Sequence, residues 1–199
     1  MQSMKEKIKL IQKKVGVAPD GVVGPQTVAA LMAALDVAEP VQMPAWVPTQ
    51  KQVRTGKSLY GAPGSKSLVR IVPPYPLYYD GAKVESIAVH ELVAQPVLAA
   101  LQEVLDVYGQ PRIKELGLDQ YGGCYNYRQT TGGSSLSMHA WGIALDFCPD
   151  GNEYAKRAPE ASLSKPECAA WFDIWERHGA TSMGRACGKD WMHVQFAKI

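Results

Sequence analysis

Apolar residues Met4, Ile8, Ile11 and Val15 recur at steps of four, three and four, so they fall on one stripe of a helix with lysines around the rest of its surface. A second stripe, Val28, Leu31, Met32 and Leu35, predicts another helix. Between the two, Asp20-Gly21 supplies a turn and Gly24-Pro25 a further break. The chain therefore opens with a helical unit over residues 1–38, too small to bury much surface alone. The pattern changes at EPVQMPAWVPT, where Pro40, Pro44 and Pro48 each remove a backbone donor and disfavour helix. This predicts a Pro-rich extended linker over 39–66 and a larger domain over 67–199.

In that domain LVRIV (68–72) reads as a strand, and Pro96 to Tyr108, with Val97, Leu98, Leu101, Val104 and Leu105, as a buried helix that Gly109 ends. Ser164, Pro166 and Glu167 have capping-box spacing ahead of Trp171, Ile174 and Trp175, which predicts a helix stopping at Gly179. GIALDFC (142–148) and WMHVQF (191–196) have strand character. The expected class is α+β: a small antiparallel sheet with flanking helices, plus the small N-terminal all-helical unit.

Alternation along the last two strands isolates polar residues. Ile143, Leu145 and Phe147 share one face and leave Asp146 on the other; Met192, Val194 and Phe196 likewise leave His193 opposite. A buried carboxylate without a partner is costly, and a metal shared with His193 is a natural one. His139 lies just before the first strand, where Gly142 allows the chain to turn it inward. Two imidazoles and a carboxylate make an open zinc site with room for water, whereas structural zinc sites are closed, mostly by cysteines. Asp190, three residues before His193, would face away in an ideal strand and is expected in the loop around Gly188. The competing reading is that each histidine is an ordinary core or surface residue. That reading is kept for His178, in a last helical turn, and for His90.

With 46% hydrophobic and 20% charged residues among 199, the composition is that of a globular protein, and a net charge of +2 does not support a nucleic-acid binder. Neither G-G-C nor T-G-G fits a phosphate loop. Cys124, Cys148, Cys168 and Cys187 form no C-x-x-C pair and are expected as small buried or part-buried thiols, with pairing left open. Lysines crowd the first fourteen residues, as a solvated helix face or as a contact for an anionic envelope. No apolar run there has signal-peptide length and none elsewhere reaches a membrane span, so neither is expected.

The motif S-x-H-x-x-G-x-A-x-D, carried by Ser137, His139, Gly142, Ala144 and Asp146, followed by D-x-x-H at Asp190 and His193, resembles the zinc D-alanyl-D-alanine carboxypeptidase family. That family includes the L-alanyl-D-glutamate endopeptidases of phage endolysins. The resemblance spans about residues 68–199. It implies one Zn2+ held by His139, Asp146 and His193, with Asp190 as general base and Arg128 steadying an oxyanion or a substrate carboxylate. Aspartate at position 190, where the carboxypeptidase branches often carry glutamate, resembles the endolysin branch. Substrate contacts are expected from Ser137, Tyr127, Trp141 and Trp191, with Tyr125 also in the cleft wall. The segment IQKKVGVAPDGVVGPQTVAALMAAL is similar to a peptidoglycan-binding module whose D-G-x-x-G-P-x-T joins two helices, and this implies wall contacts at Asp20, Gly21, Gly24 and Thr27. A helical hairpin that merely packs on the enzyme is the alternative.

The expected activity is hydrolysis of the peptidoglycan stem peptide at its L-Ala-D-Glu bond by metal-activated water. A D,D-carboxypeptidase or D,D-endopeptidase acting at D-Ala is the first alternative, and a non-catalytic zinc-containing cell-wall-binding protein the second. Bacterial peptidoglycan is the expected partner, with no nucleic acid and no membrane span, and the chain is expected as a monomer. It is expected to be made in a host cytoplasm without a signal peptide and to act on the cell wall or periplasm.

Overall fold

A computed structural model describes residues 3–24, 27, 30, 31, 34 and 47–199. The chain forms two compact units, Met1–Val41 and Gln42–Ile199.

In the first unit, α1 (Met4–Lys14) starts at a capping box, Ser3 accepting from the Glu6 amide while the Glu6 carboxylate accepts from the Ser3 amide. The expected apolar stripe is not its buried side. Met4 is 72% and Ile11 43% exposed, and the buried residue of α1 is Gln12. Its amide nitrogen donates to Asp20 Oδ1, Val22 O and Thr27 Oγ1, and its amide oxygen accepts from Gly21 N. The turn after α1 is thus built around one polar side chain that periodicity could not single out. Thr27, Ala30, Leu31 and Ala34 are helical. Pro25, Val28, Met32, Leu35, Pro40 and Pro44 lie outside the described residues.

The second unit begins earlier than residue 67. Residues 47–66, expected as linker, hold a short helix, α2 (Gln50–Arg54), and three buried side chains, Val47, Val53 and Tyr60. Thr49 and Gln52 cap α2 reciprocally, and an isolated parallel bridge near the C-terminus, Gln50 N to Lys198 O and Lys198 N to Pro48 O, pins it in place. Pro48 fits because its carbonyl, not an amide hydrogen, makes the bridge.

Strand β1 (Leu68–Ile71) pairs antiparallel with β4 (Ile87–His90), and β2 (Leu77–Tyr79) with β3 (Ala82–Val84). Asp80 and Gly81, both at positive φ, make the tight turn of this hairpin. Helix α3 (Ala94–Glu115) buries Val97, Leu101 and Val104; Gly109, at φ 66° and ψ 157°, breaks it as expected, but helix resumes beyond. The last sheet has the order β5-β6-β8-β7, all antiparallel, from β5 (Tyr121–Gly123), β6 (Ala144–Phe147), β7 (Thr181–Ser182) and β8 (His193–Gln195). Helix α4 (Ala169–Arg177) lays Trp171 and Trp175 against Phe147 of β6, at ring separations of 5.6 and 5.3 Å. Each such fully buried ring stabilises by roughly 1.5–3 kcal/mol. The expected capping box of α4 does not form. Ser164 turns its hydroxyl back to Ala161 O within a 3-10 turn, and α4 starts at Ala169 without a side-chain cap. A last short helix, α5 (Met183–Cys187), precedes β8. The unit is α+β, with small antiparallel sheets, as the periodicities imply.

Cys124, Cys148 and Cys168 are free and buried, whereas Cys187 is free and exposed, contrary to expectation, at the end of α5. Among the described residues no helix is long and apolar enough to cross a membrane.

Candidate metal centre

The register of β6 on β8 pairs Asp146 directly with His193, so alternation presents both side chains on one face. His139 arrives from the 3-10 turn Met138–Trp141, whose end is Gly142 in left-handed conformation at φ 67°. Glycine suits this position: a Cβ would crowd Leu68 Cδ2 and lie 3.2 Å from His90 N, besides the unfavourable φ. That turn brings His139 over the strand pair. His139 Nε2 lies 3.2 Å from Asp146 Oδ2 and 3.2 Å from His193 Nδ1, and His193 Nδ1 lies 3.0 Å from Asp146 Oδ1. All three residues are buried, and their ligating atoms lie within 4.8 Å of one another.

The outer ring nitrogens are already committed. His139 Nδ1 is hydrogen-bonded to Cys124 O, and His193 Nε2 lies 3.2 Å from Gln195 Oε1. Gln195 in turn donates its amide nitrogen to Ala197 O, which fixes its oxygen toward the imidazole. Each ring therefore carries its hydrogen on the outer nitrogen and turns a lone pair inward. Two lone pairs and a carboxylate converge. One proton on His193 answers only one of the three contacts; a cation answers all of them. Tetrahedral zinc with bonds of about 2.0–2.2 Å sets its ligands roughly 3.3–3.6 Å apart, close to the separations here, so the donor set fits that ion. Burial works against the charged form of Asp146; without a cation, an inward proton on His139 or His193 would be donated to it, and such hydrogen bonds outweigh burial and hold the carboxyl well below the usual carboxylate range.

Asp190 sits just before β8 in left-handed conformation, φ 58°, which aspartate tolerates better than most residues. Its amide donates to Tyr154 O and its carbonyl accepts from His193 N. Its Oδ1 is buried with no hydrogen-bond partner. Burial pushes this carboxyl up, against the pull of His193, His139 and Arg128. A desolvated carboxylate with an unused oxygen beside a lone-pair cluster is suited to exchanging a proton with a bound molecule.

The centre opens on two sides. One cavity of about 390 Å³ is lined by Tyr79, Tyr121, Tyr125, Arg128, His139 and Asp146, among others. A second of about 390 Å³ is lined by Arg54, Arg128, Ser137, Lys189, Asp190 and His193, among others. Arg128 borders both; its only described side-chain bond is to the neighbouring Gln129 O.

The other residues expected at the site take different places. Ser137 lines the second cavity, but its hydroxyl accepts from His139 N at 3.4 Å as the cap of the 3-10 turn. Trp141 is buried and donates to Gly61 O, and Trp191 packs edge-on against Phe172; neither lines the two cavities. Tyr127 is 59% exposed and lines neither. His90 caps a 3-10 turn and His178 lies 2.7 Å from Glu103, so both stand apart from the cluster. In the first unit Asp20, Gly21 and Thr27 bond to Gln12, which makes them the frame of the turn. Sequence reasoning overlooked Gln195, Tyr154 and Arg54. A histidine followed two residues on by glutamine in one strand was the available signal for Gln195; Arg54 and Tyr154 had none.

Three convergent protein ligands with a free carboxylate alongside are the arrangement of a metal-dependent hydrolase rather than of a closed structural site. A family model described as D-alanyl-D-alanine carboxypeptidase matches residues 131–196, the segment that carries His139, Asp146, Asp190 and His193. The match supports a metallopeptidase of that kind; Arg128 lies just outside it. No curated protein and no solved structure matches the chain.

Proposed function

We propose that the chain is a zinc-dependent peptidoglycan peptidase that hydrolyses the stem peptide at its L-Ala-D-Glu bond. The observation that carries this reading is that the metal centre lies between two cavities rather than at the end of one. A peptide with residues on both sides of the scissile bond can be accommodated, as internal cleavage requires. His139, Asp146 and His193 hold the ion, which when bound supplies Lewis acidity to polarise the scissile carbonyl and to acidify a water molecule. Asp190 accepts the proton from the attacking water on its free oxygen and delivers it to the leaving amine. Arg128, at the border of the two cavities, stabilises the charge that develops on the carbonyl oxygen. The N-terminal unit serves as a peptidoglycan-binding module, and the chain works as a monomer on the cell wall after synthesis in a host cytoplasm.

Removal of terminal D-Ala by a D,D-carboxypeptidase is the second reading, favoured by the description of the matching family. Digestion of purified sacculi separates the two. New amino termini on D-glutamate are expected; release of D-alanine without them would give the second reading instead, and intact sacculi would leave only a binding role.

A further inference from the structure

The cavity on the Asp190 side is more cationic than its catalytic task requires. Arg54, Arg128 and Lys189 all line it, and Asp190 is its one carboxylate. Among the described residues no carboxylate forms an ion pair with any of these three, whereas Arg112, Arg177 and Arg185 are each paired. The chain as a whole carries a net charge of only +2, so the concentration is local. It is also built. Arg54 stands on α2, whose Val53 is fully buried and whose start is pinned to Lys198, and its Nε donates to Leu136 O at 3.0 Å. That bond holds the guanidinium and leaves its two terminal nitrogens for a ligand. Lys189 is steadied by Tyr154, with Nζ 2.8 Å from the hydroxyl and 4.6 Å from the ring centroid. Unpaired cations held in place by neutral partners around a concave site are arranged for an anion, and guanidinium nitrogens suit a carboxylate.

We propose that Arg54 and Lys189 form a carboxylate-binding subsite that selects an acidic residue on the amine side of the scissile bond. Resting on the peptidase reading above, the side follows from chemistry. Asp190 returns its proton to the leaving amine, so the amine-bearing half of the substrate occupies the cavity that Asp190 lines. For cleavage at L-Ala-D-Glu that half begins with a D-glutamyl residue linked through its side chain, whose α-carboxylate is free. The subsite therefore distinguishes this carboxylate from a carboxamide at the same position. Arg54 lies far outside the family match at 131–196, whereas Lys189 lies within it, so the subsite joins a residue of the matched segment to one from the part of the chain that precedes it.

The test is calorimetric binding of two synthetic stem peptides, identical except for a D-glutamyl carboxylate or the corresponding carboxamide, to the 199-residue chain in an Asp190→Asn background that slows turnover. The acidic peptide is expected to bind on the order of 10–100-fold more tightly, the usual worth of a charge-assisted hydrogen bond. Arg54→Gln should bring the two affinities together, and Arg54→Lys should restore part of the difference. Lys189→Gln, at a half-buried position in the loop before β8, should reduce the preference on its own and serves if Arg54→Gln does not fold. Equal binding of both peptides, no measurable binding of the acidic peptide at millimolar concentration, or an unchanged preference in Arg54→Gln and Lys189→Gln would overturn the proposal. Cleavage of the acidic peptide by the unmutated zinc-loaded chain reports on the peptidase reading separately.

Discussion

Each of the two units buries a polar cluster, and the clusters differ in whether they close. Around Gln12 every group meets a complement: two amide hydrogens are shared among Asp20, Val22 and Thr27, Val22 N and the Thr27 hydroxyl donate to Asp20 and Val22 O, and the amide oxygen faces the Gly21 amide. Around Asp146 the inward atoms are acceptors, two imidazole nitrogens and a carboxylate, while the donors on the same rings point outward to Cys124 and Gln195. A closed network in a low-dielectric interior stabilises one conformation. An open one is costly until something with the opposite charge enters. Burial of polar side chains alone therefore does not mark a binding site; the sign of what remains unanswered does.

The sharpest way to break the contrast is at the open cluster. His139→Ala should eliminate stoichiometric zinc, measured by elemental analysis, and with it all hydrolysis of stem peptide; full zinc occupancy in this variant would remove His139 from the ligand set. Asp190→Asn should keep the metal and lower the hydrolysis rate about 10²–10⁴-fold, because only proton transfer is lost. A rate within threefold of the parent would assign the base elsewhere.

Gln195 tests the outer layer. It touches no inward ring nitrogen but orients His193 by accepting from its Nε2 on Oε1, and its own amide nitrogen is fixed by donating to Ala197 O. Gln195→Leu should weaken zinc about 10–100-fold in a chelator competition, with the fold intact by circular dichroism. Unchanged affinity would mean that β8 alone aims the ring.

The open cluster was legible in the sequence because it lies on a strand pair. A period of two set Asp146 and His193 against their apolar neighbours, and their register then made them face each other. The closed cluster was not legible. A helical period of 3.6 sorts apolar from polar positions, so it pointed to Met4 and Ile11 and passed over Gln12. Arg54 was hidden for another reason: it reaches the cavity through a bridge between Thr49 and Lys198, a pairing with no local signature, inside a proline-rich run that reads as linker. Ser164 shows local chemistry overruled. It had capping-box spacing, but its hydroxyl was used by Ala161 one turn earlier. Trp141 follows the same rule, since a 3-10 turn that delivers His139 to the centre also sends this indole into the core.

The closed cluster makes the complementary prediction. Gln12→Leu keeps side-chain bulk but leaves the Gly21 amide and the Thr27 hydroxyl short of partners, at a cost of about 1–3 kcal/mol within the first unit. Proteolysis between Asp20 and Gly24 should accelerate. Hydrolysis of a small soluble peptide, which needs only the second unit's centre, should not change, while binding to insoluble sacculi should fall. A loss of activity on the soluble peptide would mean that the closed cluster supports more than its own unit.

Ser137 carries the smallest effect and the finest distinction. Its hydroxyl borders the Asp190 cavity, which suits a substrate contact, yet it accepts from the His139 amide at 3.4 Å, which suits a cap. The bond is long, and Ser137 N also donates to Arg128 O at 3.0 Å, so the turn does not depend on the hydroxyl alone. Ser137→Ala should therefore cost near the lower end of a helix cap, about 0.5 kcal/mol, and lower the melting temperature by roughly 1–2 °C for a unit of this size. If the hydroxyl acts as a cap, KM stays constant and zinc affinity slips slightly, because His139 is less firmly held. If it touches substrate, KM rises while the melting temperature stays fixed. The first outcome would place Ser137 with Gln195 among the residues that aim the ligands, and the second would move it into the open cluster's substrate surface.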